Sequence, residues 1–184
     1  MNTTTYGLIA LGLVAAYIIA VYNGLVRRRN RAKEAISDID VQTKRRYDLI
    51  PNLVETVKGY LTHEKGVLEN VTKARAEAMS SPAGAIEKAG AENALSNTLK
   101  TLFAVSENYP DLKANANFLD LQRELADTEN KIQASRRFYN TTVMELNTQI
   151  QSFPSNVIAG LFRFHEEKFF ESAAIEKEPV RVKF

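Results

Sequence analysis

The sequence predicts an all-α protein, in which an N-terminal transmembrane helix is followed by an antiparallel up-and-down bundle of about four helices. A long uncharged segment lies near the N-terminus of the 184-residue chain. In the remainder, apolar residues recur at the three- and four-residue intervals of helices. The chain also has no Trp, five Pro and eight Gly, a composition that suits helices better than a β-sandwich or barrel. Its length is enough for one domain with a core of its own.

The uncharged segment runs from Tyr6 to Val26 and is 21 residues long. At ~1.5 Å per residue, a helix of this length crosses a hydrocarbon core of about 30 Å. Tyr6 and Tyr22 lie near its two ends, where aromatic rings favour the headgroup level. The alternative of a cleaved signal peptide fits less well, because no Lys or Arg precedes the segment and no small-residue cleavage site precedes the arginines. Residues 1–26 are therefore predicted to be a membrane anchor.

A cluster of cations follows the anchor at once, whereas the other flank has none. Lys and Arg resist transfer across the membrane, so this asymmetry predicts an N-terminus outside and a cytoplasmic helical domain over residues 27–172. The cluster sets the topology on this interpretation, and it is also suited to binding anionic lipid headgroups. The basic cluster consists of Arg27, Arg28, Arg29, Arg31 and Lys33.

Helical spacing continues through most of residues 30–184. The first pattern ends at a break over Ser80–Gly84, a second helix is predicted from about Ala85 to Glu107, and Pro110 stops the connector after it.

The stretch KRRYDLIPNLV has features of a helix boundary. Asp48 suits an N-cap, and Pro51 would then lie in the first turn of a new helix, where its missing N–H costs nothing. Packing beside a long later helix also favours a break, because shorter pieces would match its length. The apolar pattern nevertheless crosses the site without interruption and favours one kinked helix. The sequence leaves both possibilities open.

The clearest helical pattern lies at residues 118–153. It predicts a long helix that packs along its whole length and ends at Pro154. A shorter amphipathic helix is predicted next, and residues 173–184 are predicted to be an extended tail. The apolar residues at every seventh position are Phe118, Leu125, Ile132, Tyr139, Leu146 and Phe153.

Four blocks of this sequence occur in a distinctive order. They are YNGLVRRRNRAKEAISDIDVQTKRRYDLIPNLVETVKGY, HEKGVLENVTKARAEA, ENYPDLKANANFLDLQRELADTENKIQASRRFYN and FPSNVIAGLFRF. From Tyr22 to about Phe164 the chain thereby resembles the LemA family, although Thr43 stands where an apolar residue is expected. The resemblance implies a single-pass membrane protein with a mostly helical cytoplasmic bundle and no established enzymatic activity.

Glu129 and Arg136 lie seven residues apart on the core-facing row of the long helix. A charge buried without a partner is strongly unfavourable. The spacing therefore predicts a semi-buried polar network, with Arg45 or Arg46 opposite. The alternative is that both side chains reach solvent at the edge of a wide helix.

The sequence contains little that indicates catalysis. Neither His63 nor His165 is followed by the second His of an H-E-x-x-H zinc motif, and there is no cysteine. Nucleotide-binding glycine motifs and a nucleophile elbow are also missing from the sequence. We therefore expect no catalytic residue, metal, cofactor, small-molecule substrate or nucleic acid, and no enzymatic activity.

The segment after Pro154 is rich in aromatic residues. A short helix cannot bury all of them against one surface, and aromatic residues are enriched in interfaces. A protein interface is therefore predicted at Phe162, Phe164, Phe169 and Phe170. The alternative is that these rings cap the open end of the bundle or rest on the lipid surface.

Together these features predict a scaffold or adaptor held at the membrane. Its expected partners are membrane lipids and either another protein or a second copy of the chain. The alternative is a membrane-tethered hydrolase or metal-binding protein with a site between helices.

Overall fold

The computed structural model describes residues 2–81, 84 and 86–170, and it confirms the all-α prediction for them. The described residues contain no strand. The predicted tail at residues 173–184 lies outside the described part of the chain. The helices are α1 (Thr3–Lys58), α2 (Lys65–Ser80), α3 (Ala89–Ser106), α4 (Pro110–Lys113), α5 (Ala116–Gln151) and α6 (Ser155–Leu161).

Helix α1 continues through Pro51, so the interpretation of a helix break near Asp48 is wrong. Because Pro51 has no N–H, the carbonyl of Tyr47, four residues earlier, lacks its donor within the helix. Arg75 of α2 replaces that donor: its Nε–H bonds to the Tyr47 carbonyl oxygen at 2.8 Å. The helix therefore passes Pro51 without leaving this carbonyl unsatisfied.

A turn interrupts the first apolar pattern at residues 59–64, where the sequence did not predict one. Gly59 is a poor helix former, and the amides of Tyr60 and Leu61 both bond to the carbonyl of Val57. Leu61 is buried within this turn. Its burial keeps the apolar spacing intact although the helix has ended, which is why spacing alone did not show the turn.

The chain divides into two compact units. The first unit comprises residues 1–35 and 137–169, and the second comprises residues 36–136 and 170–184. Helix α1 runs uninterrupted across the predicted boundary between anchor and helical domain at residues 26 and 27.

Each unit has a hydrophobic core. The buried core of the first unit is formed by Val21, Leu25, Leu146, Ile158, Ala159 and Phe164. The buried core of the second unit is formed by Tyr47, Ile50, Leu53, Val57, Leu61, Val71, Ala74, Ala78, Leu95, Leu99, Leu102, Leu112, Phe118 and Leu125.

Helix α5 matches the predicted long helix to within two residues at each end. The apolar residues at every seventh position are buried, with one exception. Phe153 is 82% exposed, because α5 ends at Gln151 and Phe153 lies in the following turn. The buried members of the row are Phe118, Leu125, Ile132, Tyr139 and Leu146.

The predicted C-terminal helix is shorter than expected. It ends at Leu161 because Arg163 adopts a left-handed backbone conformation, with φ of 56°. The amide of Phe164 then bonds back to the carbonyl of Ala159 at 2.9 Å, which closes the helix end.

The chain from residue 164 to residue 170 is not helical and is held by side chains of α5. Asn147 makes two bonds with the backbone of Glu167, one to its carbonyl at 2.9 Å and one from its amide at 3.0 Å. The Tyr139 hydroxyl donates to the carbonyl of Lys168 at 2.9 Å. This segment therefore packs along α5 instead of forming a free amphipathic helix.

Candidate functional site

The N-terminal part of α1 exposes an apolar surface. Leu8, Leu11 and Leu13 are 70%, 67% and 67% exposed, and most side chains from residue 3 to residue 20 are exposed with them. Among the described helices, α1 is long and apolar enough to cross a membrane. Apolar groups in water are unfavourable by roughly 25 cal/mol per Å². This surface indicates a membrane anchor.

The basic cluster is only partly available for lipid headgroups. Arg27, Arg31 and Lys33 are exposed. Arg28 is half-buried, and its Nη1 donates to Oε1 of Gln149 in α5 at 2.8 Å. The two helices are close there, since a Cβ atom on Gly24 would lie 3.1 Å from Nε2 of Gln149. Arg28 therefore helps to pack the first unit.

An aromatic cluster lies at the end of the anchor in the first unit. The ring of Tyr22 lies 4.7 Å from the ring of Phe162 and 5.9 Å from the ring of Phe164, measured between centroids. The Arg29 guanidinium lies 5.1 Å from the centre of the Phe164 ring, within range of a cation–π interaction.

The four phenylalanines predicted as an interface do not form one exposed surface. Phe162 and Phe169 are about half exposed, but Phe164 and Phe170 are buried. Phe164 belongs to the core of the first unit. Phe170 lies in the second unit, where its ring is 5.6 Å from the guanidinium of Arg136. Their burial argues against Phe164 and Phe170 as members of the predicted interface, which remains a prediction at Phe162 and Phe169.

The second unit contains a buried network of charged side chains, which we call the ion network. Arg46 of α1 lies at its centre and is only 1% exposed. Its Nη1 donates to the Glu129 carboxylate of α5 at 2.7 Å and to Oγ of Ser96 in α3 at 2.8 Å. Its Nη2 contacts the carboxylate of Glu92, also in α3.

Further contacts extend the ion network. The Tyr47 hydroxyl donates to the Glu92 carboxylate, and Ser96 donates to Glu129 at 2.9 Å. Arg136 of α5 donates from Nη1 to Oδ1 of Asn93 at 2.9 Å. Hydrogen bonds and ion pairs between side chains thus connect α1, α3 and α5 within the second unit.

Arg45, the other arginine considered for this network, lies outside it. Its side chain is nearly half exposed and is 3.4 Å from the Glu124 carboxylate at the surface. Neighbouring residues on a helix point about 100° apart, so only one of the two arginines can face the core directly.

Burial and neighbouring charges shift the pKa values of the ion network. Burial raises the pKa of Glu92 to about 7; Arg136 opposes this shift, while Glu129 and Asp40 add to it. Burial also lowers the pKa of Arg46, with Glu129 acting against burial and Arg136 acting with it.

The carboxyl group of Glu129 behaves differently. Burial alone would raise its pKa, but hydrogen bonds from Gln133 and Ser96 and the charges of Arg46 and Arg136 outweigh burial and lower it. Glu129 is therefore the ionised partner of Arg46.

Sequence reasoning did not identify Glu92, although a signal for it exists. Glu92 precedes Leu95, Leu99 and Leu102 at three- and four-residue intervals and so lies on the apolar face of α3. A carboxylate on such a face requires a buried partner.

The ion network is suited to fixing helix positions more than to catalysis. Glu129 accepts hydrogen bonds from Arg46, Ser96 and Gln133, so its lone pairs are largely occupied. Arg46, Ser96 and Glu129 also line a cavity of about 170 Å³, but the rest of its wall is mostly apolar and includes Leu99, Phe103 and Leu125. Among the described residues, no three His, Asp or Glu side chains are grouped to hold a metal ion.

The second unit also has an open groove of about 830 Å³ between the end of α1 and α2. Its apolar lining includes Val54, Leu61 and Leu68, and Lys58 and Lys65 lie at its border. The groove is separate from the ion network.

These features define a class of all-helical proteins in which one long helix begins as an apolar membrane anchor and continues as part of a helical domain. The model of the LemA family matches residues 35–184, and the chain belongs to this family.

Named relatives agree with this assignment. The chain is 24% identical to Protein LemA of Metamycoplasma hominis, over 94% of this chain and 79% of the relative. It is 22% identical to magnetosome protein MamQ 2 of Paramagnetospirillum magneticum, over 90% of this chain and 70% of the relative. It is 23% identical to magnetosome protein MamQ of Magnetospirillum gryphiswaldense, over 92% of this chain and 72% of the relative.

Proposed function

We propose that this protein is a membrane-anchored helical scaffold. The anchor crosses the cytoplasmic membrane once with its N-terminus outside, and the helical domain lies in the cytoplasm as an antiparallel bundle that binds another protein or a second copy. The exposed apolar surface of α1, followed directly by the basic cluster, is the observation that carries the proposal. It combines an apolar span of sufficient length with an excess of cations on the C-terminal side of the span, and such an excess keeps that side in the cytoplasm.

The helix connections support an antiparallel bundle. Residues 59–64 connect α1 to α2, and two residues separate α4 from α5. Short connections of this kind are typical of antiparallel neighbours in helical bundles.

A scaffold role also fits the chemistry of the ion network. Its acids and bases are directed at one another, whereas an enzyme needs polar groups that converge on an accessible pocket. The names of the relatives mention no reaction or substrate. The cavity lined by Arg46, Ser96 and Glu129 is the observation that favours the alternative, a tethered hydrolase or metal-binding protein, but these three side chains already bind one another.

Topology gives the first test. A reporter that is active only in the cytoplasm, fused after Phe184, is expected to be active. Changing Arg27, Arg31 and Lys33 to Gln, with a Lys inserted after Met1, is expected to weaken this orientation, because the basic cluster falls from five cations to two while the other flank gains one. These three cations are exposed, so the substitutions leave the packed Arg28 intact.

The matched control removes the same charge from the helical domain by changing Lys113, Arg123 and Lys131 to Gln. It should leave the reporter signal unchanged. Activity of a reporter that works only outside the cytoplasm, when fused to the unaltered chain, would contradict the proposed orientation.

The scaffold role predicts specific crosslinks in intact membranes. A photo-crosslinking residue placed at Val41, at Thr72 in the groove or at Phe169 is expected to give a discrete larger species from at least one position. Arg123 is exposed on α5 and serves as the control position for random collisions. A chain that stays uncrosslinked at all three test positions would contradict the scaffold role.

A further inference from the structure

A second uncharged stretch lies far from the anchor in sequence. No charged residue occurs between Glu145 and Arg163, a stretch that contains the end of α5 and all of α6. Four large apolar side chains within it are exposed, and we call them the α6 apolar face. They are Phe153, Val157, Leu161 and Phe162, at 82%, 63%, 73% and 47% exposure.

Helix α6 lies beside the final turns of the anchor. Within the first unit, Ile158 and Ala159 share a core with Val21 and Leu25, and Ile18 and Val26 pack against the same core. The contact between the rings of Phe162 and Tyr22 places the end of α6 at the same level. Helix α6 is therefore level with the part of α1 between Ile18 and Val26.

The length of the anchor then determines the depth of α6. A membrane span requires about 30 Å of apolar helix. If the bilayer ended before α6, the span would have to fit between Thr3 and Tyr17, which measures only about 22 Å. The residues from 18 to 26 are therefore needed for the span, and α6 lies beside them.

We propose that residues 153–162 form a second membrane contact, which lies in the headgroup and upper acyl-chain region with the α6 apolar face toward lipid. This inference rests on the membrane anchor of the proposed function. The aromatic and aliphatic side chains of this face suit the boundary between headgroups and acyl chains.

Charge supports a bilayer as the occupant of this surface. Arg163 ends the uncharged stretch and is exposed, and Arg27 and Arg31 follow the anchor on α1. Each uncharged stretch is thus followed by exposed cations, as expected where both enter a layer bounded by anionic headgroups.

Tryptophan fluorescence tests this placement directly, because the chain contains no Trp. Phe153→Trp and Leu161→Trp variants of the full chain are reconstituted separately into vesicles of phosphatidylcholine and phosphatidylglycerol. Some of the phosphatidylcholine carries bromine, near the headgroup end of its acyl chains in one set of vesicles and near their methyl end in another. Both variants are expected to show blue-shifted emission and strong quenching. Phe153 is largely exposed, so Trp at that position disturbs little packing.

Two further variants serve as controls. Phe138→Trp places the probe on α5 of the same unit, about 20 Å along the helix from its end, and is expected to be unquenched. Tyr17→Trp places the probe near the middle of the anchor and is expected to be quenched by bromine at the methyl end of the acyl chains.

The outcomes separate the two proposals. If Tyr17→Trp is quenched but Phe153→Trp and Leu161→Trp are quenched no more than Phe138→Trp, the second membrane contact is overturned and the anchor stands. An unquenched Tyr17→Trp variant overturns both. A Leu161→Cys variant that forms a disulfide-linked dimer, together with an unquenched Leu161→Trp variant, assigns this face to a second copy and also overturns the lipid contact.

Discussion

Changing Arg46 to Met is expected to lower the free energy of unfolding by about 3–5 kcal/mol. Arg46 is buried and contacts Glu92, Ser96 and Glu129 from one guanidinium. Methionine fills a similar length without charge, so Glu129 would lose its closest cation. Denaturant unfolding of the full chain in detergent micelles, followed by circular dichroism, measures the change.

The expected size of this effect reflects the carboxylates that remain. A buried ion pair often adds little net stability, because desolvation offsets the attraction between the charges. Removing one partner is more costly, since the other charge stays buried without compensation. Neutralising the remaining acids should therefore recover stability: the variant that combines Arg46→Met with Glu92→Gln and Glu129→Gln is expected to unfold at higher denaturant concentration than Arg46→Met alone.

Arg45 provides a matched control for the Arg46 substitution. It precedes Arg46 in the same helix, and its ion pair with Glu124 is exposed on both sides. Arg45→Met should therefore cost no more than about 1 kcal/mol. Equal effects of the two substitutions would show that the ion network does not hold the second unit together.

Long regular elements could be predicted from the sequence because local spacing determines them. Helix α5 follows from apolar residues at every seventh position between Phe118 and Leu146. The path of α1 through Pro51 depends instead on Arg75, which is distant in sequence and replaces the missing donor. The end of α6 depends on a left-handed conformation at Arg163, where no glycine marks the turn. Neither the hydrogen bond from Arg75 nor the left-handed conformation of Arg163 has a local sequence signature.

The candidate sites were predictable to a similar degree. The spacing of Glu129 and Arg136 indicated a polar row on a core-facing helix, and the structure places Arg46 opposite Glu129. Sequence alone could not choose between Arg45 and Arg46, because the choice depends on the rotation of α1. Burial of Phe164 likewise could not be predicted. It depends on how the chain packs after α6 has ended, whereas the prediction assumed that Phe164 lies on a helix.

The ion network should also make stability depend on pH, and replacing Glu92 with Gln should remove this dependence. The pKa of Glu92 is about 7 in the folded chain, against an ordinary value of 4.5. Between these values the folded state binds a proton that the unfolded state has lost. The stabilisation that Glu92 contributes to the folded state is therefore fully present below about pH 4.5. It decreases as the pH rises above this value and is lost as the pH passes through about 7.

The size of the loss follows from the shift. One pKa unit corresponds to about 1.4 kcal/mol, so a shift from 4.5 to about 7, roughly 2.5 units, corresponds to about 3 kcal/mol. Protonated Glu92 leaves Arg46 with the ionised partner Glu129.

Other groups near Glu92 do not reproduce this profile. On α1, Asp40, Arg46 and Tyr47 face it, and on α5, Glu129 and Arg136 do so. The lowered pKa of Glu129 gives a pH dependence of the opposite sign. The stabilisation from Glu129 is present above its unfolded pKa and is lost as the pH falls through its folded pKa. Its effect therefore lies at more acidic pH than the effect of Glu92.

The measurement compares unfolding free energies of the unaltered chain and of Glu92→Gln between pH 5 and pH 8 at constant ionic strength. The unaltered chain is expected to lose about 3 kcal/mol relative to the variant across this range. Glu124→Gln changes an exposed carboxylate on α5 and should run parallel to the unaltered chain. If Glu92→Gln runs parallel as well, Glu92 does not titrate in this range, and Arg46 keeps it ionised in the folded protein.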